Sequence, residues 1–215
     1  KYANIIKAFE AIFVNAFSTK SILGGFLGMG VKKAIRYGVA RGLFSNEAGM
    51  GSTPHAHAIA KVKNPVEQGN VALITVFIDT FIVLTLTALV ILTSDIGDGT
   101  LTGITLTQKA FEAALGYSGT IFIAIALFFF AFSTIIGWYF FGEANIKYLF
   151  GKKAINVYRI LVMIAIFIGS TQKVELVWEL ADLFNGLMVI PNLIALIVLY
   201  KLVDNTSSEY DKLHL

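Results

Sequence analysis

The sequence predicts an all-α transmembrane fold, on three observations. Residues 71–92, VALITVFIDTFIVLTLTALVIL, are apolar over a length that crosses the ~30 Å hydrocarbon core as one helix. The composition is that of a chain dissolved in lipid: of 215 residues 56% are hydrophobic and 14% charged, with a mean hydropathy of +0.74. Cations, finally, collect in alternate loops. Eighteen Phe and nineteen Gly against three Pro suit helices that approach closely in a bilayer. Cysteine is absent, which excludes disulfides and thiolate metal centres within the chain.

Five spans are predicted, the first over 8–31. It is apolar but interrupted by Asn15, Ser18, Thr19, Lys20 and Ser21 and by Gly24, Gly25, Gly28 and Gly30. Each interior Gly costs about 1 kcal/mol relative to Ala, so this stretch favours local unwinding. Unwound backbone persists at membrane depth only where protein or a cavity surrounds it. A connecting region is expected over 32–69, then a second span over 70–93 with Asp79, Thr80, Thr85 and Thr87 inside it. The turn-rich SDIGDGTLTG precedes a short surface helix, LTQKAFEAALG.

The third span, 120–148, carries Ser133 and Thr134 at its apolar centre, and the fourth covers 154–171. The fifth, 175–203, joins the amphipathic VELVWELADLFNG to the apolar LMVIPNLIALIVLYKLV with a kink expected at Pro191, and ends before the polar tail DNTSSEYDKLHL. The chain opens on an amphipathic segment already entering a span, which predicts the C-terminal part of a longer protein.

Charge orients the set. Twelve cations, Lys32, Lys33, Arg36, Arg41, Lys61, Lys63, Lys147, Lys152, Lys153, Arg159, Lys201 and Lys212, fall on one side and two, Lys109 and Lys173, on the other. The first side is therefore assigned to the cytoplasm. The net charge of +3 reflects this loop placement, and no basic run with interleaved aromatics points to nucleic acid.

Three groups of residues suit transport chemistry. A break within Phe17–Phe26 would expose N–H groups to a carboxylate and C=O groups to an ammonium, as in the discontinuous helices of secondary transporters; tight helix packing is the other use of such glycines. Ser133 and Thr134, with the Phe130 carbonyl three residues earlier, offer hard oxygen ligands to Na⁺, or else bond back onto their own helix. Asp79 either binds an ion or proton or ties helices together. In the loop ARGLFSNEAGMGSTPHAHAIA, two His at i, i+2 do not share a helix face and the glycines lack a P-loop lysine, so neither metal nor phosphate binding follows. No nucleophile and base can be assembled with convincing spacing, which argues against an enzyme.

That loop, GLFSNEAGMGSTPHAHA, resembles the hallmark of the alanine or glycine/cation symporter family, sodium-coupled carriers of small amino acids. VFIDTFIVLTLTALVILTS and AFSTKSILGGFLG resemble the same family, so the resemblance covers nearly the whole chain. It implies a leucine-transporter-like fold of two inverted five-helix repeats, of which this chain supplies the second, with the first repeat absent. The first repeat of the same protein would then be the partner that completes the pocket, in an inner (cell) membrane.

Residue by residue, the resemblance implies that Phe17, Ser18, Thr19, Ser21, Ile22, Gly24 and Gly25, with Phe26 as a wall, line the amino-acid site. Phe130, Ser133 and Thr134 would hold Na⁺, and Asp79 would serve an ion or the structure. The implied activity is sodium-driven symport of alanine or glycine by alternating access; a channel or a non-transporting membrane scaffold is the rival reading.

Overall fold

The computed structural model describes residues 2–17, 25–94, 96, 101 and 103–214. Every regular element among them is helical: α1 (Tyr2–Phe17), α2 (Gly25–Asn46), a 3₁₀ turn (Ala48–Met50), α3 (Thr53–His57), α4 (Pro65–Phe77), a π-helical stretch (Ile78–Val83), α5 (Leu84–Leu92), α6 (Gly103–Leu115), α7 (Tyr117–Phe150), α8 (Ala154–Ser170) and α9 (Val174–His214). Three helical stretches are long and apolar enough to cross a membrane, Pro65–Leu92, Tyr117–Phe150 and Val174–Leu213, while Ala154–Ser170 is a shorter apolar helix. The protein is thus an all-α, multi-pass membrane protein.

Local chemistry explains the boundaries. α4 begins five residues before the expected span because Asn64 caps it, its Oδ1 accepting from Val66 N at 2.9 Å, with Pro65 at the first helical position and Glu67 in the first turn. α7 begins after Gly116 (φ 65°) and ends at Gly151 (φ 77°), whose amide donates to Lys147 O at 3.0 Å; both glycines occupy left-handed backbone. α9 differs from expectation. It runs through the polar tail to His214, because no Gly or Pro follows Pro191 and the Thr206 hydroxyl bonds back to Leu202 O. It also runs through Pro191 itself, whose missing amide leaves the Leu187 carbonyl without its usual donor.

The expected connecting region over 32–69 is corrected as well. Residues 32–46 belong to α2, and helix resumes at Thr53 and again at Pro65. The reason is compositional: between Gly30 and Asn46 the sequence VKKAIRYGVARGLFS holds no proline and enough strong helix formers to carry the helix forward.

The chain divides into two compact units, Lys1–Val39 with Ile78–Thr134, and Ala40–Phe77 with Ile135–Leu215. In the first, α5 packs against α1 and α6. Phe111 stacks on Phe122 at 5.6 Å, and Gly119 lies so close to the Phe111 carbonyl that no Cβ fits there. In the second, α9 packs against the 3₁₀ turn and α4. Tyr158 of α8 fills the space a side chain at Gly142 would need, stacks on Tyr139 and donates to the Tyr139 carbonyl at 3.3 Å. Among the described residues only Ala8, Met50, Ser52, Ala110, Gly119 and Ile123 are buried, so the long helices turn their apolar side chains outward.

Candidate functional site

Helix α2 stops at Asn46 and the chain restarts as α3 at Thr53, with six residues of irregular or 3₁₀ backbone between them. Both ends of that interruption need left-handed backbone, at Glu47 (φ 58°) and Gly51 (φ 78°). Gly51 meets the requirement without strain. Glu47, a non-glycine residue, does not, and such outliers persist only where surrounding contacts hold them. Asn46 supplies two of these contacts: its side chain accepts from Ala48 N at 3.1 Å, and its carbonyl accepts from the Thr53 hydroxyl at 3.3 Å. Ser52, 1% exposed, donates to the Glu47 carbonyl at 3.4 Å.

α9 grips the segment from one side. Asn192 Nδ2 donates to the Ala48 carbonyl at 3.3 Å and to the Gly49 carbonyl at 2.9 Å. Ten residues earlier on α9, Asp182 accepts from Arg41 Nη1 at 2.5 Å, while the Arg41 guanidinium lies 3.9 Å from the Trp178 ring centroid and Phe44 meets the same ring edge-on. The last turns of α2 and the 3₁₀ turn therefore run along α9 from Trp178 to Asn192.

α7 grips it from the other. The Trp138 indole, which only donates, hydrogen-bonds to the Glu47 carboxyl, which accepts. Farther along α7, His55 packs against Phe141 and meets Asn145. His55 Nδ1 is 3.1 Å from the Ser52 carbonyl, which can only accept, so Nδ1 carries the hydrogen. Nε2 is then free to accept from Asn145 Nδ2 at 2.9 Å, and the same amide donates to Phe141 O at 2.8 Å. Beyond α3, Gln68 Nε2 donates to His57 Nδ1 at 2.7 Å beside a cavity of about 550 Å³ lined by Thr53, Pro54, His57, Pro65 and Ala72 among others.

Asn192 stands within the apolar run 187–203, so Ala48 and Gly49 meet α9 along that run. Arg41, which the loop count groups with Lys201, has its partner Asp182 about 14 Å along α9 from Lys173 and about 28 Å from Lys201.

The expected site residues fall as follows. Ser18, Thr19, Ser21, Ile22 and Gly24 lie outside the described residues; Phe17 ends α1, and Gly25 and Phe26 begin α2. Ser133 donates to the Phe130 carbonyl at 3.0 Å, the back-bonded arrangement, and Thr134 follows it on exposed α7 surface. Asp79 is half-buried in the π-helical stretch at the centre of Pro65–Leu92. Among the described residues no three His, Cys, Asp or Glu side chains come together as a metal centre.

The interruption at Asn46–Ser52 was missed as such in the sequence. Its signals were present, in Gly49, Gly51, Ser52 and Pro54 directly after an Asn that ends a helix, but the deciding partner, Asn192, is more than 140 residues away.

Comparison with known proteins bears on the same residues. Residues 1–214 match the profile of the sodium:alanine symporter family. The chain belongs to that family. It is 41% identical to the sodium/alanine symporter AgcS of Methanococcus maripaludis over 213 residues, 97% of this chain and 46% of that protein. An uncharacterized transporter of Haemophilus influenzae is 42% identical over 212 residues, 96% of this chain and 46% of the relative. The probable sodium/glutamine symporter GlnT of Bacillus subtilis is 46% identical over 203 residues, 94% and 42% of the respective chains. The chain thus spans somewhat under half the length of these relatives. Members of the sodium:alanine symporter family are transporters, not enzymes, and the segment gripped by α7 and α9 is the same GLFSNEAGMGSTPHAHA that carries the family resemblance.

Proposed function

We propose that the full-length protein couples sodium entry to uptake of a small neutral amino acid, alanine or glycine, by alternating access, and that Asn46–Ser52 forms part of the substrate site. The observation that carries this reading is the interruption of helix between α2 and α3 beside the apolar run of α9, whose Asn192 holds it. A 22-residue helix ending there presents carbonyl oxygens and the negative end of its dipole, which suit a substrate ammonium.

Sodium, the co-transported substrate, is assigned to the Ser133 and Thr134 hydroxyls with the Phe130 carbonyl. Ser133 is back-bonded to the Phe130 carbonyl at 3.0 Å, so the assignment rests on the family resemblance. Coupling then needs only that sodium favour the substrate-competent state. Asp79, in its π-helical turn, is a further candidate for an ion or proton, since π-helical turns concentrate at functional sites. The stretch Phe17–Phe26 stays a second candidate for substrate contact, on the resemblance alone.

The test is uptake of labelled alanine by the full-length protein in proteoliposomes. Saturable uptake driven by an inward sodium gradient, and competed by glycine more strongly than by glutamine, is expected. Uptake indifferent to sodium would remove the coupling, and none of any small amino acid would favour a channel or scaffold.

A further inference from the structure

Asn192 is the polar residue in the apolar run of α9 that touches the interrupted segment, and both N–H groups of its amide are engaged there. Its two N–H bonds serve two successive carbonyls, Ala48 O at 3.3 Å and Gly49 O at 2.9 Å. Its oxygen faces Gly51, lying 2.9 Å from where a Cβ would stand, so the side chain closes over the one position in the turn where φ is positive and a glycine is present. An amide left unpaired in an apolar span costs more than it contributes, so its retention there calls for a donor role rather than space filling.

The alternatives on α9 are weaker. Asp182 acts ten residues away on Arg41, before the interruption begins, and the cavity beside His57 and Gln68 lies past its end. Asn192 alone meets the backbone of the 3₁₀ turn through hydrogen bonds from α9 among the described residues.

We propose that Asn192 is a positioning residue of the amino-acid site: by occupying the Ala48 and Gly49 carbonyls it fixes the turn, so that substrate binding does not have to order it. The inference rests on the reading of Asn46–Ser52 as part of the substrate site. Two consequences follow. Without the donors, the turn must be ordered on binding, which weakens affinity. The defect resides in donation, so shape alone does not repair it.

The experiment measures alanine KM and Vmax in proteoliposomes, with equilibrium alanine binding, for the full-length protein carrying Asn192→Ser, Asn192→Leu or Asn192→Asp. Asn192→Leu, of similar volume without donors, is expected to raise KM and Kd about tenfold, more than it lowers Vmax. Asn192→Asp, which sets a carboxylate against two carbonyls, is expected to do at least as much, and Asn192→Ser, retaining one donor, less than either. Where Asn192→Asp fails to fold, the Ser and Leu variants decide. Equal affinities for Ser, Leu and wild type would overturn the proposal while leaving the transport reading in place. A wild type without sodium-dependent alanine uptake would overturn the transport reading and this inference with it.

Discussion

Arg41 and Asp182, 141 residues apart in the chain, meet at 2.5 Å beside the Trp178 ring, with side chains 35% and 20% exposed. The guanidinium spends one face on an aromatic and its edge on a carboxylate, a combination that a lysine could not reproduce. This pair fixes which end of α9 lies beside the end of α2.

Removing one partner strands the other charge, whereas removing both does not. Arg41→Leu and Asp182→Leu singly are expected to lower stability by about 1–3 kcal/mol, and the double variant by less than the sum of the two. Thermal unfolding of the full-length protein in detergent, analysed as a double-mutant cycle, checks this; strict additivity would mean that the pair contributes nothing.

At Gly51, two independent obstacles meet an added methyl group, the left-handed backbone and the Asn192 side chain 2.9 Å away. Gly51→Ala is expected to destabilise by about 1–3 kcal/mol, and Gly38→Ala, where nothing lies within 4 Å of the new carbon, to be neutral or slightly stabilising. Parallel melting curves of the two variants give the comparison.

Asn145 serves two acceptors with one amide, His55 Nε2 and Phe141 O. Asn145→Leu leaves both without their donor and is expected to cost about 1–2 kcal/mol. Hydrogen exchange by mass spectrometry should show the loss in the peptide containing His55, and protection equal to wild type there would contradict the assigned bond.

Ser133→Ala and Thr134→Ala test the ion assignment. Each is expected to weaken sodium activation several-fold and, because binding linkage is reciprocal, to weaken sodium-dependent alanine binding by the same factor. A sodium dependence identical to wild type in the double variant would dismiss the hydroxyl pair as merely back-bonded.

How far the sequence carried depends on what each residue answers to. The long helices were legible because lipid imposes one rule along the whole of 71–92 or 187–203, and the caps at Asn64, Gly116 and Gly151 depend on neighbours a few residues away. The break at Asn46–Ser52 was read as a loop because its punctuation looks the same whether water or two helices surround it. What separates those cases is Asn192 on the Ala48 and Gly49 carbonyls and Trp138 on Glu47, contacts whose partners lie more than ninety residues away. The partners of Arg41 were hidden for a related reason: a charge count treats every cation as a loop charge, and Asp182 and Trp178 lie far away in the chain.

The most direct test of the substrate assignment uses the absence of cysteine from this chain. Ala48→Cys and, separately, Thr19→Cys are introduced into the full-length protein with any other cysteine replaced, and the rate of thiol labelling is followed with and without alanine and sodium. Ala48 is exposed in the interrupted segment, so alanine with sodium is expected to slow its labelling about tenfold, and alanine without sodium to have little effect. Unchanged labelling at Ala48, with alanine binding intact and Thr19 protected instead, would contradict the account and move the site to the stretch between α1 and α2.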